Sequence, residues 1–104
     1  MPPSRLVALR DLFQKDPTDA FAGYGLAMEL AKRPETEPEA VETFRRLLAA
    51  NPDYLPAYLQ FGLLLARRGE AEAAKDVYER GIALATRVRD AHTREELESA
   101  LGAL

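Results

Sequence analysis

Cysteine is absent from the 104 residues. Its absence excludes disulfide bonds, thiolate metal sites and thiol nucleophiles, and the chain reads as intracellular. Long apolar runs are missing too: none approaches the roughly 18 residues of a membrane span, and the opening MPPSRLVALR has no continuous apolar stretch of signal-peptide length. A soluble, cytoplasmic protein is expected. Charge of one sign is also lacking, since 14 Lys and Arg face 17 Asp and Glu and the net charge of -3 is too mild to imply a polyanion. Period-two alternation is never sustained, so strands are not expected.

What remains is helical. Apolar residues recur at spacings of three and four along the whole chain, which makes the fold class all-α, with about six helices joined by short turns. Ser4 opens a first helix with Leu6, Leu9, Leu12 and Phe13 on one side, stopping near Asp16 because Pro17 disfavours helix in the residue before it. Thr18 caps a second helix reaching about Arg33. Thr36 and Glu39 have the spacing of a capping box, with Pro38 in the first turn, and start a third helix that ends near Ala50. After Asn51-Pro52, Asp53 caps a fourth helix to Arg68, and Gly69 turns the chain into a fifth over about Glu70 to Arg89. Thr93 and Glu96 repeat the capping-box spacing before a short last helix carrying Leu97, Leu101 and Leu104 on one side.

The helices come in two copies. Pro17 aligns with Pro52, and Leu26-Ala27-x-x-Leu30 with Phe61-Gly62-x-x-Leu65, at a shift of 35; Ala40-x-x-x-Phe44 aligns with Ala74-x-x-x-Tyr78 at 34. The odd residue falls in the turn RPETEPE, where an insertion costs little. The second copy reads Tyr58-x2-Phe61-Gly62-x2-Leu65, Ala74-x3-Tyr78 and Gly81. This resembles the tetratricopeptide repeat, W-x2-L-G-x2-Y, then A-x3-F, then P, over 34 residues.

The resemblance implies antiparallel helix-turn-helix repeats stacked as a short right-handed α-solenoid, one domain over 1–104. It divides into an N-terminal half-repeat helix at 1–16, repeats at 17–51 and 52–86, and a C-terminal capping helix at 87–104. It also accounts for Gly62 and Gly81 inside helices, where each costs roughly 1 kcal/mol against alanine. Together with Ala27, Ala40 and Ala74 they stand at the small-residue positions that let paired helices approach closely. Two departures stand out. Gly23 occupies the place of a large aromatic, leaving the start of the first repeat loosely specified, and Thr86 replaces the closing proline, so the fifth helix is expected to run on.

Chemistry-bearing residues are few. His92, the single histidine, lies in RDAHTREEL with no nucleophile motif nearby; Ser4 and Ser99 belong to a terminal cap and a short helix, and His92 reads as a polar turn residue. Glu35, Glu37, Glu39 and Glu42 lack the Asp-rich spacing and turn glycine of a calcium loop and read as a solvated helix start. Arg45-Arg46, Arg67-Arg68, Arg87, Arg89 and Arg94 are interleaved with acids and make no basic stripe. No enzyme activity, cofactor, metal or small-molecule substrate is expected.

The resemblance places one set of side chains in a concave groove: Phe21, Tyr24, Gly25, Met28, Ala31 and Lys32 from the first copy, and Pro56, Leu59, Gln60, Leu63, Ala66 and Arg67 from the second. The repeat pattern already supplies the helix-pair core, which leaves Phe21, Tyr24, Met28, Leu59 and Leu63 as surplus apolar surface, unless flanking helices bury them. Some family members grip acidic chaperone tails with Lys and Asn in the groove. Here the matching positions are apolar or small apart from Lys32, Gln60 and Arg67, so an apolar or amphipathic helix fits better. The expected function is a protein-protein interaction module or scaffold. The alternatives are a self-associating assembly protein, paired as a homodimer through the groove or through Leu97, Leu101 and Leu104, and an RNA-binding helical repeat. No polar pair repeats between the copies, and no nucleic acid or membrane partner is expected.

Overall fold

Helices α1 (Pro3–Lys15), α2 (Ala20–Leu30), α3 (Glu37–Ala50), α4 (Pro56–Arg67), α5 (Ala71–Arg87) and α6 (Ala91–Gly102), with a 3-10 turn at Pro34–Thr36, carry the chain in the computed structural model. It describes residues 3–104, with side chains from Arg5 onward; Met1, Pro2 and the side chain of the expected first cap, Ser4, lie outside the described residues. Among the described residues there is no strand, and no helix is long and apolar enough to cross a membrane.

Several helix ends differ from the sequence expectation, each for a local reason. Thr18 does not cap α2, because its N–H and hydroxyl both donate to the Asp16 carboxylate; Asp19 caps instead, accepting from the Ala22 N–H at 3.0 Å. That helix stops at Leu30, short of Arg33, since Pro34 holds Arg33 in an extended conformation (φ -130, ψ 140). The Thr36–Glu39 capping box does not form. The Thr36 hydroxyl donates to the Leu30 carbonyl, and Arg10 takes the Glu39 carboxylate through two hydrogen bonds of 3.0 and 2.8 Å. α4 starts later than an Asp53 cap implies, with Pro56 at the first helical position, where a missing N–H costs nothing. Asp90 rather than Thr93 caps α6, accepting from the Thr93 N–H at 3.0 Å and its hydroxyl at 2.8 Å.

The ends of α4 and α5 share one device. After α4, Gly69 adopts φ +81 while the Glu70 N–H reaches back to the Leu65 carbonyl at 2.9 Å. After α5, Arg89 adopts φ +61 while the Asp90 N–H reaches the Ala85 carbonyl at 2.9 Å. Both are left-handed C-terminal caps, and only the first uses the residue that suits them.

The chain divides into two compact units, one ending at Tyr54 and the other starting at Leu55. In the first, α2 lies against both α1 and α3, and Leu9, Phe13, Leu26, Ala27, Leu30, Ala40, Phe44 and Leu47 are buried. Leu12, expected on the packed side of α1, is half exposed, because it stands about 100° around the helix from Phe13. Gly23 is not loosely placed: a Cβ there would lie 2.8 Å from the Phe13 ring and 3.2 Å from Leu47. Phe13 of α1 fills the space an aromatic at position 23 would occupy.

In the second unit α5 lies against both α4 and α6, and α6 also touches α4. Tyr58, Phe61, Leu65, Ala74, Tyr78, Leu84 and Leu97 are buried. The two helix-interior glycines sit at the closest approaches. A Cβ on Gly62 would lie 2.6 Å from Tyr78 Cδ1, and one on Gly81 2.7 Å from Tyr58 Cβ and 3.0 Å from Leu97 Cδ1. The aromatic of each helix therefore rests where the facing helix has no side chain. The area buried by those rings offsets the helix propensity lost at the glycines.

Candidate functional site

Helix α2 presents two faces. Ala22, Leu26, Ala27 and Leu30 point into the first unit, while Phe21 is 79% exposed and Tyr24 and Met28 are half-buried. Phe21, Tyr24, Met28 and Lys32 line one hollow of about 360 Å3, together with Arg5 of α1, Gly25, Glu29 and Tyr54. The rings of Tyr24 and Tyr54 stack tilted, with centroids 5.4 Å apart and planes at 57°. Burial raises the Tyr24 pKa above its ordinary value, and the neighbouring Tyr54 adds to the effect.

Charge sits at the edge of this hollow. Lys32 Nζ donates to Glu29 Oε2 at 2.6 Å and Arg5 Nε lies 3.5 Å from Glu29 Oε1, so one carboxylate serves two cations. The hydrogen bond from Lys32, more than the Coulomb attraction of Lys32 and Arg5, holds the Glu29 carboxyl below its ordinary range.

In the second unit the same division recurs on α4. Ala57, Phe61, Leu64 and Leu65 are buried, while Leu63 is 41% exposed and Leu59 is half-buried. Leu59 and Leu63 form one wall of a hollow of about 510 Å3 whose other wall is His92, Glu95, Glu96, Ser99, Ala100 and Ala103. The remaining expected groove residues are not gathered in: half-buried Gln60 and exposed Arg67 line neither hollow. Leu97 is fully buried, its Cδ1 against Gly81, while Leu101 is half-buried and Leu104 is 47% exposed. The expected Leu97, Leu101 and Leu104 face is thus divided between core and surface.

The sequence reading missed Arg5, Glu29 and Tyr54 in the first hollow and the whole α6 wall in the second. The α6 residues do carry a signal, since 92, 95, 96, 99, 100 and 103 are spaced by three and four on one helix face, but polar residues dilute it. Arg5 and Tyr54 come from elsewhere in the chain, and no local spacing marks them.

His92 Nε2 lies 3.8 Å from Glu96 Oε1. Ser99 is two turns further along the same helix, roughly 10 Å by helical rise, beyond hydrogen-bond reach of His92. Among the described residues no group of three or more His, Asp or Glu side chains is placed to hold a metal ion.

The fold has close counterparts among solved structures. The solution NMR structure of a tetratricopeptide repeat domain protein from Salinibacter ruber is 32% identical; the alignment covers 83% of this chain and 86% of that one, with a TM-score of 0.75. The TPR2B domain of yeast Sti1, solved in complex with pHsp70, is 19% identical over 95% of this chain and 78% of that one, with a TM-score of 0.84. The crystal structure of MamA is 23% identical over 97% and 65%, with a TM-score of 0.72. No protein-family model and no curated protein matches the chain. An identity of 32% over most of the bacterial domain, on a matching fold, shows that this chain belongs to the tetratricopeptide repeat family.

Proposed function

We propose that the chain is a protein-interaction module that holds a peptide or amphipathic helix of another protein against the outward side chains of α2 in the first unit or of α4 in the second, and that it catalyses no reaction. One observation carries this reading: Phe21, at 79% exposed, and Leu63, at 41%, remain at the surface while the repeat-pattern residues on the same helices fill the core. Apolar side chains lining a hollow without being needed by the core are what a partner site requires. The yeast neighbour was solved with a protein partner, pHsp70, which agrees with such a role at the level of fold. An acidic tail suits the α4 surface less well, because Leu59 and Leu63 are lined by Glu95 and Glu96 and by no Lys or Arg, while at α2 the cations Arg5 and Lys32 are already shared with Glu29. The same reading divides the chain into a half-repeat at 1–16, repeats at 17–51 and 52–86, and a closing helix at 87–104, acting in the cytoplasm.

A second copy of the chain is the alternative occupant, favoured by the high exposure of Phe21 on a helix whose other face is fully used. The test is amide chemical-shift mapping with peptides selected by display on the folded protein. Shifts centred on Tyr24 and Met28, or on Leu59 and Leu63, are expected. Selected peptides whose shifts avoid α2 and α4 would overturn the reading.

A further inference from the structure

The two hollows differ in charge, and the difference identifies the chemistry of the segment the second one takes. The α4–α6 hollow has an aliphatic wall, Leu59 and Leu63, one helical turn apart. Opposite, α6 supplies acids midway along its length, Glu95 and Glu96, and small residues toward and just past its C-terminal end, Ser99, Ala100 and Ala103. No Lys or Arg lines it. Arg94 on the same turn and Arg67, one turn beyond Leu63, both lie outside its walls. His92 is the only other ionisable group there, and its contact with Glu96 is long, at 3.8 Å. The first hollow is the reverse, with Arg5 and Lys32 around a single carboxylate, Glu29.

We infer that the α4–α6 hollow takes a basic amphipathic segment of a partner protein: aliphatic side chains one turn apart against Leu59 and Leu63, with Lys or Arg beside them reaching Glu95 and Glu96. This rests on the interaction-module reading above and adds the sign of the partner's charge. The acids are on the solvent side of the hollow; Glu95 is exposed and the Glu96 side chain is 47% exposed. A partner's cations therefore meet them without full desolvation, which favours selectivity and association rate over raw affinity. From His92 to Ala103 the α6 wall runs roughly 16 Å at the helical rise, which matches about three turns of a docked helix. The small residues at 99, 100 and 103 leave room there for the partner's backbone to come close, as small residues do at helix contacts generally.

The test uses two synthetic fifteen-residue peptides of one helical design, with leucines at i, i+4 and i+8 and either Lys or Glu at the flanking positions. Each is titrated into 15N-labelled protein. The Lys peptide is expected to shift the amides of Leu59, Leu63, Glu96 and Ser99 and to bind about tenfold more tightly than the Glu peptide, from two partly exposed charge pairs gained or opposed. The preference should shrink with added salt. In the Glu95→Lys/Glu96→Lys variant the preference should invert, and in the milder Glu95→Gln/Glu96→Gln variant it should vanish, with unchanged helical circular dichroism in both. Equal binding of the two peptides at this hollow overturns the charge inference and leaves the interaction-module reading in place. Tighter binding of the Glu peptide overturns the inference in the same way. If neither peptide perturbs the hollow at millimolar concentration, both the inference and the reading beneath it fail for α4.

Discussion

Gly62 shows how a single atom governs the helix contact. A Cβ at this position would stand 2.6 Å from Tyr78 Cδ1 and 2.8 Å from Cζ, against a ring that is itself buried. Alanine is the better helix former, yet Gly62→Ala should destabilise the fold, and Gly62→Leu should do so by about 3 kcal/mol or more, since overpacking of a filled core outweighs propensity. Urea unfolding measures both; a Gly62→Leu protein more stable than the parent would contradict the close-approach account. Glu29 gives a second test at this scale. Its carboxyl is held below the ordinary 4.5, chiefly by the Lys32 hydrogen bond. Because the folded pKa is the depressed one, any stabilisation from this ion pair is present above the unfolded value and lost as pH falls through the folded one. In an NMR titration the Glu29 midpoint should lie below that of an unpaired glutamate and rise toward it in Lys32→Gln. A midpoint unmoved by that substitution would remove the pairing.

The helix ends show what local sequence can and cannot specify. Asp19→Ala should cost about 0.5–2 kcal/mol as a lost N-cap, whereas Thr18→Ala, at the residue the spacing favoured, should cost less, because Thr18 bonds to Asp16 rather than to the helix. Arg89 invites the opposite substitution. It holds φ +61 in the role that Gly69 fills after α4, so Arg89→Gly should stabilise by up to about 1 kcal/mol, relief of left-handed strain exceeding the glycine entropy cost. A destabilised Arg89→Gly would mean that the arginine side chain contributes more than its backbone costs. Helix identity and the buried faces of α2 and α4 were legible from spacing, because Leu26, Leu30, Phe61 and Leu65 repeat at the helical period. The caps were not. Asp16 competes for Thr18, and Arg10 for Glu39, and the second of these competitors lies 29 residues away in sequence. The same non-locality hid Arg5 and Tyr54 from the first hollow, and polar dilution hid the α6 wall of the second.

At the scale of the whole molecule, each unit buries its own core and carries its own hollow, one bordered by Arg5 and Lys32 and the other by Glu95 and Glu96. Exposed apolar side chains in those hollows also allow weak pairing of identical chains. Sedimentation from micromolar to millimolar concentration distinguishes the occupants. A mass rising from 11.5 kDa toward twice that value, and restored to the monomer by Leu59→Asp but not by Leu101→Asp, would assign the α4 surface to a second copy. A mass constant at the monomer value leaves it to another protein.

The central claim is that the outward residues of α2 and α4 serve a partner and not the core, and it is tested most directly by titrating a display-selected peptide into the Phe21→Asp/Leu63→Asp variant while recording its thermal melt. The account predicts a melting temperature within a few degrees of the parent, as for surface changes, and an affinity lower by about a hundredfold, as for the loss of apolar anchors at a contact centre. Unchanged affinity, or a collapse of the melting temperature, would contradict it.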